Sequence, residues 1–227
     1  MTSLVRFPLA LVLGLSLLEP LAAATSAGQQ LGKFTAGELA LLPEWCIDSQ
    51  AGPYGGPEGG EGLNKSPRAR HWVGLMGKDF WAMHHYCYAL DALNKVRNEV
   101  LRPRERDLLV LHAIGDLAYV VQNTKSTMPL LPEVYLRLGE TYLLQGNLPA
   151  ASNAFESSRT IKPDYWPAYD RWIGELMDLK QYAKARQLAE EGLRHAPNQP
   201  VLMKRLQEAK AREGAAPSRA SASASAP

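Results

Sequence analysis

Residues 132–165 and 166–199 can be laid over one another at an offset of 34, and no other feature restricts the fold so strongly. Tyr135 falls on Tyr169, Leu138 on Trp172, Tyr142 on Leu176, Leu148 on Tyr182, Ala151 on Ala185, Phe155 on Ala189 and Pro163 on Pro197. A period of this length is that of a helix–turn–helix unit stacked on its neighbours. Gln145-Gly146-Asn147 and Asp178-Leu179-Lys180-Gln181 supply the turn inside each pair, and Pro163 and Pro197 stop each second helix. Gly139 and Ala151 predict a close antiparallel approach, with Leu138, Tyr142, Leu148 and Phe155 filling the space beside it.

The pattern resembles the tetratricopeptide repeat. In the first copy Tyr135 stands at the fourth place, Leu138-Gly139 at the seventh and eighth and Tyr142 at the eleventh; Ala151, Phe155 and Pro163 stand at the twentieth, twenty-fourth and thirty-second. The second copy keeps Tyr169, Ala185 and Pro197 but has Ile173 for the usual glycine and the smaller Ala189, so this pair is expected to pack a little wider. The resemblance implies an all-α fold, a right-handed α-solenoid of antiparallel helix pairs. It also implies a protein or peptide partner held along the concave face of the first helices. By position that face takes Glu133, Leu136, Arg137, Glu140, Leu143 and Leu144 from one copy and Asp170, Arg171, Met177 and Asp178 from the other. Leu136, Leu143 and Met177 are expected to offer apolar contact, and Arg137 and Arg171 to hold a carboxylate or an extended backbone without serving the core.

Two units are fewer than the three a stack usually needs, so both ends must be closed. Val201, Leu202, Leu206 and Ala209 make residues 200–213 an amphipathic capping helix. Residues 68–131 are read as a degenerate helical hairpin. Ser66-Pro67 open a helix to Met76, and after Gly77 a longer one runs over Lys78–Asn98 with Met83, Cys87, Leu90, Leu93 and Val96 (and Val100) as its stripe. Leu108, Leu111, Ile114, Leu117, Ala118 and Val121 mark a third, over Arg104–Gln122. Residues 25–67 read as irregular: Thr35 caps a short helix over Ala36–Leu42, and Ala51–Pro67 are dense in glycine and proline. Residues 214–227, rich in Ser and Ala, are expected to be disordered.

At the N-terminus Arg6, the apolar run Phe7–Leu18 and the Ala-rich stretch ending at Ala24 or Ala27 have the order of a cleaved signal peptide, residues 1–24. The run is too short to span a bilayer, so the mature chain is expected to lack a membrane span and to be exported. A formal net charge of +2 excludes the basic footprint of a nucleic-acid binder.

Two cysteines, Cys46 and Cys87, lie in that mature chain, and an even count in an oxidising compartment favours a Cys46–Cys87 disulfide. Two free core thiols are one alternative. The other is a metal- or haem-binding, redox function built on the helix of His84, His85 and Cys87, with His84, Cys87, Cys46 and Asp91 as the ligand set. Trp72, Trp81, Tyr86 and Tyr88 are assigned to the core. Leu-Pro-Glu-Trp-Cys followed by His-His-Tyr-Cys is also similar to a group of exported repeat proteins of proteobacteria, which implies a Gram-negative source and no mechanism; with the leader, a periplasmic location is expected, and the partner is expected in an envelope-associated complex. No nucleophile elbow, phosphate loop, zinc-protease motif or dinucleotide fingerprint occurs. The chain is therefore expected to be no enzyme, to need no cofactor and to act by binding.

Overall fold

The computed structural model describes residues 34–49 and 67–215, and over them the protein is all-helical. The helices are α1 (Ala36–Ala40), α2 (Trp45–Ser49), α3 (Pro67–Met76), α4 (Met83–Asn98), α5 (Pro103–Asn123), α6 (Leu131–Gln145), α7 (Leu148–Ile161), α8 (Trp166–Asp178), α9 (Tyr182–His195) and α10 (Pro200–Ala215). From α4 onward each helix packs chiefly on its neighbours in sequence. No described helix is long and apolar enough to cross a membrane. The leader, most of the Gly/Pro-rich stretch and residues 216–227 lie outside the described residues.

The 34-residue period is carried by the backbone as well as the side chains. Gly146 and Lys180 both adopt positive φ, 81° and 58°. The N–H of Asn147 donates to Tyr142 O at 2.9 Å, and that of Gln181 to Leu176 O at 2.8 Å. After the second helix of each pair, Lys162 N–H donates to Ser158 O and Ala196 N–H to Gly192 O. The register continues into α10: Val134, Ala168 and Leu202, each 34 residues from the last, are all fully buried.

Inside the first pair, a Cβ on Gly139 would lie 2.7 Å from the Phe155 ring, so the ring occupies the space glycine vacates. The second pair exchanges the sizes, and Ile173 and Ala189 are both fully buried in one core cluster. Helices α8 and α9 make fewer close backbone approaches than α6 and α7, in the direction that wider packing predicts.

Upstream, α4 and α5 approach through small residues, Ala89, Ala92 and Ala113, all buried. Of the residues that mark α5, Leu117 is buried and Ile114 and Val121 pack against the core. Val110, Ala113, Leu117 and Val120 turn inward, while Leu108 and Leu111 are 47% and 51% exposed. Val100 is also outside, beyond the end of α4. The long helix expected from Lys78 begins instead as a 3-10 turn over Gly77–Ala82, after Gly77 at φ 69°, and buries both Phe80 and Trp81. At the other end α10 runs through Gly214 and Ala215, past the expected onset of disorder, with Arg186 Nε bonded to Glu213 at 2.8 Å.

The short N-terminal helices are fastened to this frame. Thr35 and Glu38 form a capping box on α1, and Glu38 also takes Lys95 Nζ at 2.7 Å. The lysine bond and the Thr35 N–H hold the Glu38 carboxyl at about 2. Asp48 of α2 accepts from Arg68 and, at 2.8 Å, from the Trp72 indole.

Candidate functional site

Helices α6 and α8 each start at a proline in the first turn, where the missing N–H costs nothing, and lie side by side with α10 beyond α8. Their side chains meet in an ionic ladder. Tyr86 OH of α4 donates to Glu133 Oε1 at 2.8 Å. Arg137 binds Glu133 at 3.5 Å and Glu140 at 3.0 Å. Glu140 is shared with Arg97 of α4 at 3.6 Å and Arg171 of α8 at 3.8 Å. Arg171 reaches Glu175 at 3.9 Å, and Asp170 takes Arg205 of α10 at 2.6 Å. Arg137, Arg171 and Arg205 stand 34 residues apart, one on each first helix.

The rungs differ in depth. Burial, then Glu133, pushes Tyr86 well above the ordinary phenol range. Burial, with Glu133 next, pushes Tyr165 up to about 12, so this hydroxyl stays protonated beside the ladder. For Arg137 burial acts downward, but Tyr86 and Glu140 outweigh it and the guanidinium is held charged. Arg171 and Arg97 are the accessible cations, with side chains 40% and 44% exposed and ion pairs of 3.6 Å or longer.

Two expectations about this face change. Leu136 is buried, with Ala151, Phe155 and Ala168, because its place on α6 points between the pairs, so it offers no apolar contact. Arg137 is not independent of the folded structure, since it joins two partly buried carboxylates, Glu133 and Glu140. Leu143 and Met177 are half-buried against their own clusters, and Asp178 is exposed.

The His-His-Tyr-Cys helix resolves differently from the metal alternative. Cys46 and Cys87 form a disulfide with Cα atoms 5.8 Å apart, so neither offers a thiolate. His84 Nδ1 bonds the Trp81 carbonyl, and Asp91 takes Lys95 at 2.7 Å. Among the described residues no group of three or more His, Cys, Asp or Glu stands close enough to hold a metal ion. His84, Cys87, Cys46 and Asp91 are thus not a ligand set. Sequence reasoning missed the partner of His85: Asp116 of α5 lies 2.6 Å from its Nδ1, and the Tyr119 ring lies 3.9 Å away. Nothing local in the sequence links positions 31 apart on two helices. The four core aromatics behave as expected, Trp81 and Tyr86 buried, Trp72 and Tyr88 packed against the same cluster.

Family models, curated proteins and solved structures were all compared with the chain, and none matches.

Proposed function

We propose that the protein is an exported interaction module of the tetratricopeptide-repeat type. It is an α-solenoid that binds a peptide or protein partner in the periplasm, within an envelope-associated complex, on the face of α6 and α8. Recurrence of the turn conformation and its hydrogen bonds at 34 residues supports the repeat assignment. The observation that carries the binding role is the loosely satisfied pair Arg97 and Arg171 on either side of Glu140. Within the ladder, Arg205 at 2.6 Å and Arg137 at 3.0 Å are already held by carboxylates. Arg97 and Arg171, at 3.6–3.9 Å and partly solvated, can turn to a partner carboxylate at small cost. Beside them Arg137 pairs with Glu133, which also accepts from the buried Tyr86.

The test is capture from an envelope fraction by the wild-type chain and by Arg171→Ala, with binding of the recovered partner then measured at two salt concentrations. Loss of one charge-assisted contact is expected to weaken binding by about tenfold, with the salt dependence reduced and the melting temperature within about 2 °C of wild type. Equal affinity for both proteins would remove this face from the binding role. Reversing charge at Arg137 is a poor test, because it also breaks the ladder.

A further inference from the structure

The exposed stripe on α5 is part of a second surface, separate from the ladder. Two adjoining grooves run along the outer side of the α4–α5 pair and share Leu109 and His112. One holds Arg102, Arg104, Glu105 and Leu108; the other holds Phe34, Tyr88, Asp91, Ala92, Lys95, Leu111, Gly115 and Asp116. Leu108, Leu111 and Gly115 follow helical spacing, three and four apart, with Tyr119 one turn further and 41% exposed. A Cβ built on Gly115 meets nothing within 4 Å, so the stripe has a gap where an incoming side chain can seat. Phe34, buried on the edge of Tyr88 with ring centroids 5.4 Å apart, walls the groove on the α4 side.

The charges along this groove are ordered. At the start of α5 two guanidinium groups, Arg102 and Arg104, face one carboxylate, Glu105. Toward its middle stand two carboxylates: Asp91 on Lys95, which is further shared with Glu38, and Asp116, 2.6 Å from the His85 ring, so acidic groups outnumber cations at this end. From Arg102 to Asp116 the groove covers 14 residues of helix, roughly 21 Å at the usual rise per residue.

We infer that this groove is a docking site for an amphipathic helix of a partner protein. The partner helix carries acidic residues at the end that lies over Arg102 and Arg104, and basic residues at the end that lies over Asp91 and Asp116. A helix fits because the apolar positions recur at three and four and leave a seat at Gly115, the arrangement by which one helix takes the knobs of another. The two charged ends select its charge pattern, since a helix with the same sign at both ends is repelled at one of them.

The probes are three labelled synthetic helices of about four turns with one leucine stripe in common. One has glutamates at one end and lysines at the other; the second has glutamates at both ends, the third lysines at both. Anisotropy with the full chain at low salt is expected to give the mixed-end helix about tenfold tighter binding than either uniform helix. Leu111→Asp is expected to weaken it by tenfold or more while leaving the circular dichroism and melting curve unchanged, because this side chain is half exposed. Arg171→Ala is expected to leave it unaltered, which separates this site from the α6–α8 face. Indifference among the three helices, no binding, or equal binding by Leu111→Asp overturns the proposal. So does light scattering that finds a wild-type dimer and a Leu111→Asp monomer, because the occupant is then a second copy.

Discussion

Gly139 and Phe155 behave as one unit of volume, and the second pair holds the same unit with the sizes exchanged at Ile173 and Ala189. Gly139→Ile alone forces a branched side chain into the space of the Phe155 ring, less than 3 Å from the new Cβ. Overpacking of this kind costs about 1–3 kcal/mol. Phe155→Ala alone leaves a cavity and costs about 3–5 kcal/mol. The double variant copies the second pair, and thermal or urea unfolding is expected to show it more stable than the sum of the two losses requires, by at least about 1 kcal/mol. Strict additivity would mean that the two sites do not share one space. The glycine was legible in the sequence because the repeat places it at a fixed position. The exchange was not, because each copy taken alone reads Ile173 and Ala189 as departures, and only their burial in one cluster joins them. The same limit hid His85 and Asp116, whose pairing depends on how α4 and α5 are rotated about their axes.

Among the elements, α5 is where periodicity was legible only in part: Leu117 is buried and Ile114 and Val121 pack against the core, but Leu108 and Leu111 at the same spacing are exposed, and Val110, Ala113 and Val120 are buried instead. The existence and ends of α3 and α5 through α9 were legible from caps and prolines; the rotation of α4 and α10 was legible from apolar spacing, with Met83, Cys87 and Leu93 buried on one and Leu202 and Ala209 on the other, whereas the repeat template misplaced Leu136 on α6. The short α1 and α2 owe their positions to links that are not local: Glu38 to Lys95, Asp48 to Arg68 and Trp72, and the Cys46–Cys87 bond to α4. The disulfide closes a separation of 41 residues, for which the chain-entropy estimate is about 4 kcal/mol. Reduction is expected to loosen α1–α3 first and leave α6–α10 folded. Hydrogen exchange with and without reductant checks this: amides of 34–49 and 67–76 should lose protection, those of 131–195 should keep it, and an even loss throughout would contradict the assignment.

At the scale of the molecule, a run of helices that each pack chiefly on their neighbours in sequence has few long-range ties, so stability should be divided along the chain rather than shared equally. Its C-terminal end rests on α10. Leu202 is fully buried with Tyr169, Ile173, Leu176 and Ala189, and its Cδ1 lies 2.8 Å from where a Gly192 Cβ would stand. Gly192 lets α10 settle onto α9, and Arg205 ties it to Asp170 of α8. Leu202→Ala removes the central contact while sparing that ion pair, and a buried leucine truncated in this way costs about 2–5 kcal/mol. The loss should fall on α8, α9 and α10, which share one core cluster, and fade toward α4 and α5, which belong to another. Exchange measured by mass spectrometry is therefore expected to show protection falling over 166–215 and nearly unchanged over 83–123. Arg205→Ala, which removes the half-exposed tie and no buried volume, should give the same pattern at a fraction of the size. If Leu202→Ala lowered protection equally from α4 to α10, the helices would be one cooperative body, and the partition of the core into separate clusters would have no energetic meaning.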